Sequence, residues 1–183
     1  MNYIIEDNFF EDPDSIRKFA LSQKFYTRDN HPRLEVDSKG IDNFPGHRTA
    51  FFDDIDSKFF KDIHNKILPY VSKLEQVKHP TDKYKKFNLQ LSFSYTFKGA
   101  NSFRHTDEIE QGYKVRYGGL VYLYPEPIKK SGTTLYLNET TYLENKYNRF
   151  VLYNSNIEHE PTNNFGTDIN NSRLVLTIFY DMA

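Results

Sequence analysis

The stretch FNLQLSFSYTF, residues 87–97, decides the fold, and HTD, residues 105–107, follows it closely. Leu89, Leu91, Phe93, Tyr95 and Phe97 fall on one side of an extended chain; Asn88, Gln90, Ser92 and Ser94 fall on the other. A period of two over this length predicts a half-buried β-strand. Gly99-Ala100-Asn101 then turns the chain into His105-Thr106-Asp107. Residues i and i+2 of an extended segment point the same way. An imidazole and a carboxylate can therefore converge on one ion, with Thr106 turned aside.

Downstream, strands are predicted over Tyr117–Tyr124, Thr133–Leu137, Arg149–Tyr153 and Arg173–Tyr180. Pro125-Glu126-Pro127 and Ser131-Gly132 supply turns between them. Glu108–Arg116 is polar and reads as a loop. Upstream, Tyr3-Ile4-Ile5 suggests a short strand, and Asp12-Pro13 suits a helix start. Thr27–Gly46 is a long polar stretch, and Arg48–Phe52 suggests a strand. Phe59, Phe60, Ile63, Ile67, Leu68 and Val71 give an amphipathic helix from Asp56 to about Leu74, with Pro69 inside it. Pro80–Lys86 reads as a solvated connection. Helices early and strands late predict a mainly β fold with flanking helices (α+β), a two-sheet jelly roll or double-stranded β-helix. At 183 residues one domain is expected, with 1–86 as helical and β support and 87–183 as the jelly-roll core.

Composition narrows the chemistry. The chain has no cysteine, which excludes disulfides, zinc–thiolate sites and iron–sulfur clusters. Any metal must be held by His, Asp or Glu. A net charge of -1 argues against nucleic acid as a partner. Neither a signal peptide nor a membrane-spanning run is evident, so a soluble, cytoplasmic protein is expected.

His159 lies beyond the middle strands, and Arg173 opens the last apolar run. Two His and one carboxylate form the facial set that holds ferrous iron in oxygenases and leaves other coordination positions open. Arg173 shares a strand face with Val175, Thr177 and Phe179, while Leu174, Leu176, Ile178 and Tyr180 fill the other. An Arg and a Thr inside a doubly buried strand need partners, and a bound dicarboxylate would supply one. The competing view pairs Arg173 with a strand-end carboxylate and makes His159 a satisfied loop histidine. His31 and His79 are expected in solvent, and His64 on the exposed side of its helix. His47 and Arg48 follow a Pro45-Gly46 turn and could line a site mouth and touch substrate, against a plain surface pair of Arg48 with Asp53. Thr27–Gly46 and Glu108–Arg116 would then form a lid over the metal.

At these residues the second half of the chain resembles the 2-oxoglutarate/Fe(II) dioxygenases of the prolyl 4-hydroxylase type. The resemblance runs through His105-x-Asp107, Leu120–Tyr124, Ser131-Gly132-Thr133-Thr134-Leu135, Arg149–Tyr153, His159-Glu160-Pro161 and Arg173-x-x-x-Thr177. It implies that His105, Asp107 and His159 hold Fe(II) as the catalytic metal. Arg173 would bind the distal carboxylate of 2-oxoglutarate, with Thr177 below it and Tyr95 helping to position the co-substrate. A family tyrosine that assists the arginine falls at Val121 in the simplest register, with Tyr122 facing the other way. The reaction implied consumes O2 and 2-oxoglutarate, with ascorbate as a possible reductant, and releases succinate and CO2. The presence of Asp107 favours hydroxylation over halogenation. A peptidyl (prolyl-like) residue or a small molecule would be the substrate. Rival expectations are a cupin-like metal enzyme that does not use 2-oxoglutarate, and a metal-free jelly-roll binding or structural module.

Overall fold

The computed structural model describes residues 1–32, 44, 46–52, 57–110 and 113–183. Strand β1 (Tyr3–Glu6) leads into helix α1 (Pro13–Leu21). Asp12 caps α1: its Oδ1 accepts the Ser15 N–H at 3.0 Å. Pro13 takes the first helical turn, where a missing N–H costs nothing. Strands β2 (Phe25–Tyr26) and β3 (His47–Thr49) precede the long helix α2 (Ser57–Glu75) and the one-turn helix α3 (Pro80–Lys83). The predicted stripe of α2 is buried at Ile63, Ile67 and Val71.

Strand β4 (Phe87–Thr96) is followed by β5 (Ile109–Glu110), β6 (Tyr113–Lys114) and β7 (Tyr117–Tyr122). After them come β8 (Thr133–Tyr136), β9 (Thr140–Leu143), β10 (Phe150–Asn154), β11 (Glu158–Pro161) and β12 (Arg173–Met182). The major sheet has the order β1-β10-β7-β12-β4-β3-β2, and the minor sheet β11-β8-β9. Residues from the N-terminal part thus close both edges of the major sheet.

Two cores result from the alternation of β12. Leu174, Leu176, Ile178 and Tyr180 pack with Ile63, Ile67 and Val71 on the helical side. Val175 turns the other way and packs with Leu135 and Leu143 of the minor sheet and with Tyr122 and Tyr153 of the major one. Between the sheets lies the face that carries Arg173. The predicted division of this strand is therefore the observed one.

Several short-range expectations fail for physical reasons. Glu108–Arg116 is not plain loop, because β5 and β6 pair within it. Strands β9 and β11 escape a hydrophobicity pattern because their alternating residues are largely polar. His31 is buried rather than in solvent, with its Nε2 donating to Thr49 O at 3.0 Å. His64 is half-buried, with Nε2 3.0 Å from the Tyr180 hydroxyl. Most of Thr27–Gly46, including Pro45, lies outside the described residues, as does Asp53. Among the described residues no helix is long and apolar enough to cross a membrane.

Glu75 ties the end of α2 to the sheet. Its side chain is only 5% exposed, and it accepts from Arg116 Nε at 2.7 Å and from the hydroxyls of Tyr117 and Tyr84. Burial works to raise its pKa, but the donors from Arg116, Tyr117 and Tyr84 outweigh burial and lower it from 4.5 to about 2. A carboxylate with a depressed folded-state pKa stabilises the fold above its unfolded value, and that contribution is lost as pH falls towards the folded one. Glu75→Gln should therefore cost ~3 kcal/mol in urea unfolding at pH 7. The gap between variant and parent should close as pH falls from 4.5 towards 2. A gap that stays constant over that range would show that the carboxylate charge is not what holds the junction.

Candidate metal centre and the buried arginine

His105 and His159 reach one another through the backbone. His105 N donates to His159 O at 3.0 Å, and His159 N donates to His105 O at 2.8 Å. This antiparallel bridge sets the two imidazoles side by side, with ring centroids 4.4 Å apart. Asp107 N donates to Ser155 O at 2.9 Å, which fixes the residue two places on. One ligand atom from each of His105, Asp107 and His159 can be chosen so that all lie within 4.8 Å of one another.

The histidine tautomers follow from their neighbours. His105 Nδ1 lies 2.9 Å from Phe103 O, and His159 Nδ1 lies 3.0 Å from Ile157 O. A carbonyl can only accept, so each Nδ1 carries a proton, and in the neutral imidazole each Nε2 then keeps its lone pair. Asp107 Oδ1 is 3.7 Å from His105 Nε2, and Oδ2 is 3.3 Å from His159 Nε2. Burial pushes the His159 imidazole below its usual pKa, against the pull of Asp107, and so favours its neutral form. Asp107 is itself buried, and no Lys or Arg lies within ion-pair distance of it among the described residues. Two nitrogen lone pairs and a carboxylate without a cation suit a divalent transition metal, which would supply the missing positive charge.

Glycine makes room for this arrangement. A Cβ on Gly118 would lie 2.3 Å from Asp107 Oδ2 and 2.8 Å from the Tyr153 ring. Tyr153, opposite Gly118 on β10, is a residue that the sequence pattern hid inside an apolar strand. Its hydroxyl is 2.9 Å from Asp107 Oδ2 and 3.0 Å from His159 Nε2. Burial, reinforced by the Asp107 charge, holds this phenol well above its ordinary pKa, so it stays protonated.

Arg173 sits on the same inter-sheet side, 5% exposed. Its Nε donates to Ser131 O at 3.2 Å, and one terminal amino group donates to Thr133 Oγ1 at 3.0 Å. No carboxylate lies within ion-pair distance among the described residues, so the strand-end partner of the competing view is not there. A buried guanidinium without an anion is left with an uncompensated charge that a bound anion would satisfy.

Beside Arg173 stands Tyr122, not Val121. Strand β7 pairs with β12 so that Tyr122 lies opposite Val175, which turns its ring to the inter-sheet side. The Arg173 guanidinium lies 5.3 Å from that ring, and the Tyr122 hydroxyl is 2.8 Å from Thr133 Oγ1. Val121 packs in the helical core instead. A one-residue difference in register exchanges the two faces.

Tyr95 is not brought to this site. It pairs with Leu174 and so shares the helix-side face. There it stacks on His47, with ring centroids 4.7 Å apart and an interplanar angle of 3°. Ser94 takes the inward position, with its Oγ 2.9 Å from Thr177 Oγ1. The same alternation separates His47 from Arg48. His47 lies opposite Tyr95, and Arg48 lies opposite Ser94 on the inward face. The Arg48 guanidinium is 4.6 Å from the Phe44 ring centroid and 5.7 Å from that of Phe179. Phe179 in turn packs with Phe51 and Val115.

No protein-family model matches the chain, and no curated protein matches it. Solved structures do. A prolyl-4-hydroxylase from Pseudomonas putida aligns over 100% of this chain and 93% of its own, with a TM-score of 0.63 at 16% identity. HygX from Streptomyces hygroscopicus, solved with nickel and 2-oxoglutarate, aligns over 98% of this chain and 82% of its own, with a TM-score of 0.65 at 12% identity. An oxidoreductase of the 2OG-Fe(II) oxygenase family from Burkholderia pseudomallei aligns over 98% of this chain and 85% of its own, with a TM-score of 0.67 at 7% identity. The fold is that of the 2-oxoglutarate/Fe(II) oxygenases. Among them it is like the prolyl 4-hydroxylases.

Proposed function

We propose that this chain is a 2-oxoglutarate- and Fe(II)-dependent dioxygenase that hydroxylates a C–H bond of a peptidyl (prolyl-like) or small-molecule substrate. One observation carries this: a His105/Asp107/His159 group that could hold a metal lies within electrostatic reach of Arg173, a buried cation that lacks an anion among the described residues. Two sheets packed face to face support the jelly-roll reading, and strands from both ends of the chain in one sheet support a single domain.

His105 Nε2, His159 Nε2 and one oxygen of Asp107 would hold the iron. Bound there with 2-oxoglutarate, the iron supplies oxidation of a C–H bond by O2, with succinate and CO2 as co-products. The chain's own residues do the rest. Arg173 would offer its guanidinium to the distal carboxylate, with Nε held by the Ser131 carbonyl and one terminal amino group by Thr133 Oγ1. Thr133 and Tyr122 hold the guanidinium in place through their mutual hydrogen bond. Thr177 and Ser94 line the same inward face and would bound the co-substrate from below. Phe179, Phe51 and Val115 would exclude water on the substrate side.

Arg48 would touch substrate, because it points inward while it is braced by Phe44 and Phe179. HygX has been solved with hygromycin B, and a Trichoplax adhaerens prolyl hydroxylase with a peptide, so this fold accepts either class of ligand. The test is succinate release from 2-oxoglutarate with Fe(II) and ascorbate, across peptide and amino-acid pools. A parent protein that forms no succinate above the metal-free background would overturn the proposal. Once a stimulating pool is found, Arg48→Ala should lower stimulated turnover at least ~10-fold, with 2-oxoglutarate binding at the parent value. Loss of both together would assign Arg48 to the fold.

A further inference from the structure

We propose that Tyr153 is a positioning residue of the metal centre, whose hydroxyl holds the Asp107 carboxylate by donating to Oδ2. The inference rests on the assignment of His105, Asp107 and His159 as metal ligands, and adds a fourth residue to their surroundings.

The geometry leaves the phenol few choices. Tyr153 is 3% exposed, and its hydroxyl has two acceptors within reach, Asp107 Oδ2 at 2.9 Å and His159 Nε2 at 3.0 Å. A phenol has one proton to give. His159 Nδ1–H is already committed to Ile157 O, so Nε2 carries the lone pair. A cation bound at Nε2 takes that lone pair and leaves Asp107 Oδ2 as the acceptor. Metal binding and the Tyr153–Asp107 hydrogen bond therefore reinforce one another. With Oδ2 held, the carboxylate presents Oδ1, the oxygen on the His105 side. Held at Oδ2, Asp107 would meet a bound ion through Oδ1 alone.

The surroundings keep the phenol where it is. Its ring packs on His159, with centroids 4.7 Å apart. Gly118 lies beneath, and any side chain there would strike both the ring and Asp107 Oδ2. Three separate features therefore converge on one contact: a strand register, a missing Cβ and a tautomer.

Partners that orient metal ligands typically contribute 10–100-fold to metal affinity. Tyr153→Phe keeps the ring and removes the donor, so Fe(II) should bind it ~10-fold or more weakly in an anaerobic titration of folded protein. The Co(II)-loaded variant should also give an altered visible spectrum. A merely structural hydroxyl would lower the melting temperature of the metal-free protein and leave the Fe(II) affinity alone. An affinity within about twofold of the parent (well under the 10-fold expected) overturns the proposal. The parent tests the same bond without substitution: one equivalent of Zn(II) should produce a tyrosine difference spectrum in the near ultraviolet, and its absence would count equally against the idea. His159→Ala is run alongside. If it binds Fe(II) as the parent does, the metal centre itself is misassigned and Tyr153 falls with it. If His159→Ala loses the metal and Tyr153→Phe does not, the role of Tyr153 alone is refuted.

Discussion

His159→Ala should lose stoichiometric Fe(II) binding, by on the order of 100-fold or more in affinity, while the protein remains folded. The magnitude follows from sharing a typical metal-site free energy of roughly 10–16 kcal/mol over about four ligands. The folded state should survive because the parts that build the site are main-chain. The bridge between His105 and His159 uses only backbone N–H and C=O groups, which alanine retains. Strand β11 stays paired to β8 through Glu158–Pro161 opposite Thr133–Tyr136. What disappears is one Nε2 lone pair and the Nδ1 bond to Ile157 O. His105 and Asp107 remain adjacent but form an incomplete facial set. Anaerobic calorimetric titration with Fe(II), with circular dichroism as the control for folding, measures both quantities. Parent-like affinity in the variant would mean that the three residues meet for a structural reason only.

Legibility of this site in the sequence depended on what carries each residue. The period-two run from Phe87 marked β4, and Arg173–Tyr180 marked β12, because each strand separates a helix-side face from an inter-sheet face. His105 and Asp107 could be placed because i and i+2 on extended chain share a direction. His159 could be placed only in order along the chain. Its strand, Glu158-His159-Glu160-Pro161, has no apolar run to mark it, and its one buried residue is the histidine itself. Tyr122 and Tyr95 show the limit more sharply. Tyr122 turns to the face opposite the one expected of it, whereas Tyr95 keeps its expected apolar face, which is the helix side, and sequence offers no internal ruler for either. Pairing of Tyr122 with Val175 and of Tyr95 with Leu174 decides both cases, and those are contacts between distant strands. Tyr153 was invisible for a different reason: in Phe150-Val151-Leu152-Tyr153 it reads as one more apolar core residue, and its hydroxyl matters only after Asp107 and His159 have been brought to it.

Arg173→Ala should weaken 2-oxoglutarate binding roughly 10²–10³-fold and leave Fe(II) affinity near the parent value. The guanidinium is buried and hydrogen-bonded to Ser131 O and Thr133 Oγ1, but among the described residues nothing neutralises it. A dicarboxylate that completes this pair becomes, when the arginine is removed, a buried anion without a partner. Such a loss costs about 3–5 kcal/mol, and every 1.4 kcal/mol is about tenfold in affinity. Arg173→Lys should recover part of the effect, because it restores charge without the planar fork that engages a carboxylate through two bonds. A second consequence separates this role from a structural one. An uncompensated buried cation opposes folding until its anion arrives, so Arg173→Met, apolar and of similar reach, should melt no lower than the parent in the absence of 2-oxoglutarate. Added 2-oxoglutarate should then raise the melting temperature of the parent and not of the variant. Should Arg173→Met melt well below the ligand-free parent, and should 2-oxoglutarate still stabilise it, the arginine would be a strut between β12 and the Ser131–Thr133 segment, and the co-substrate would have to be held elsewhere.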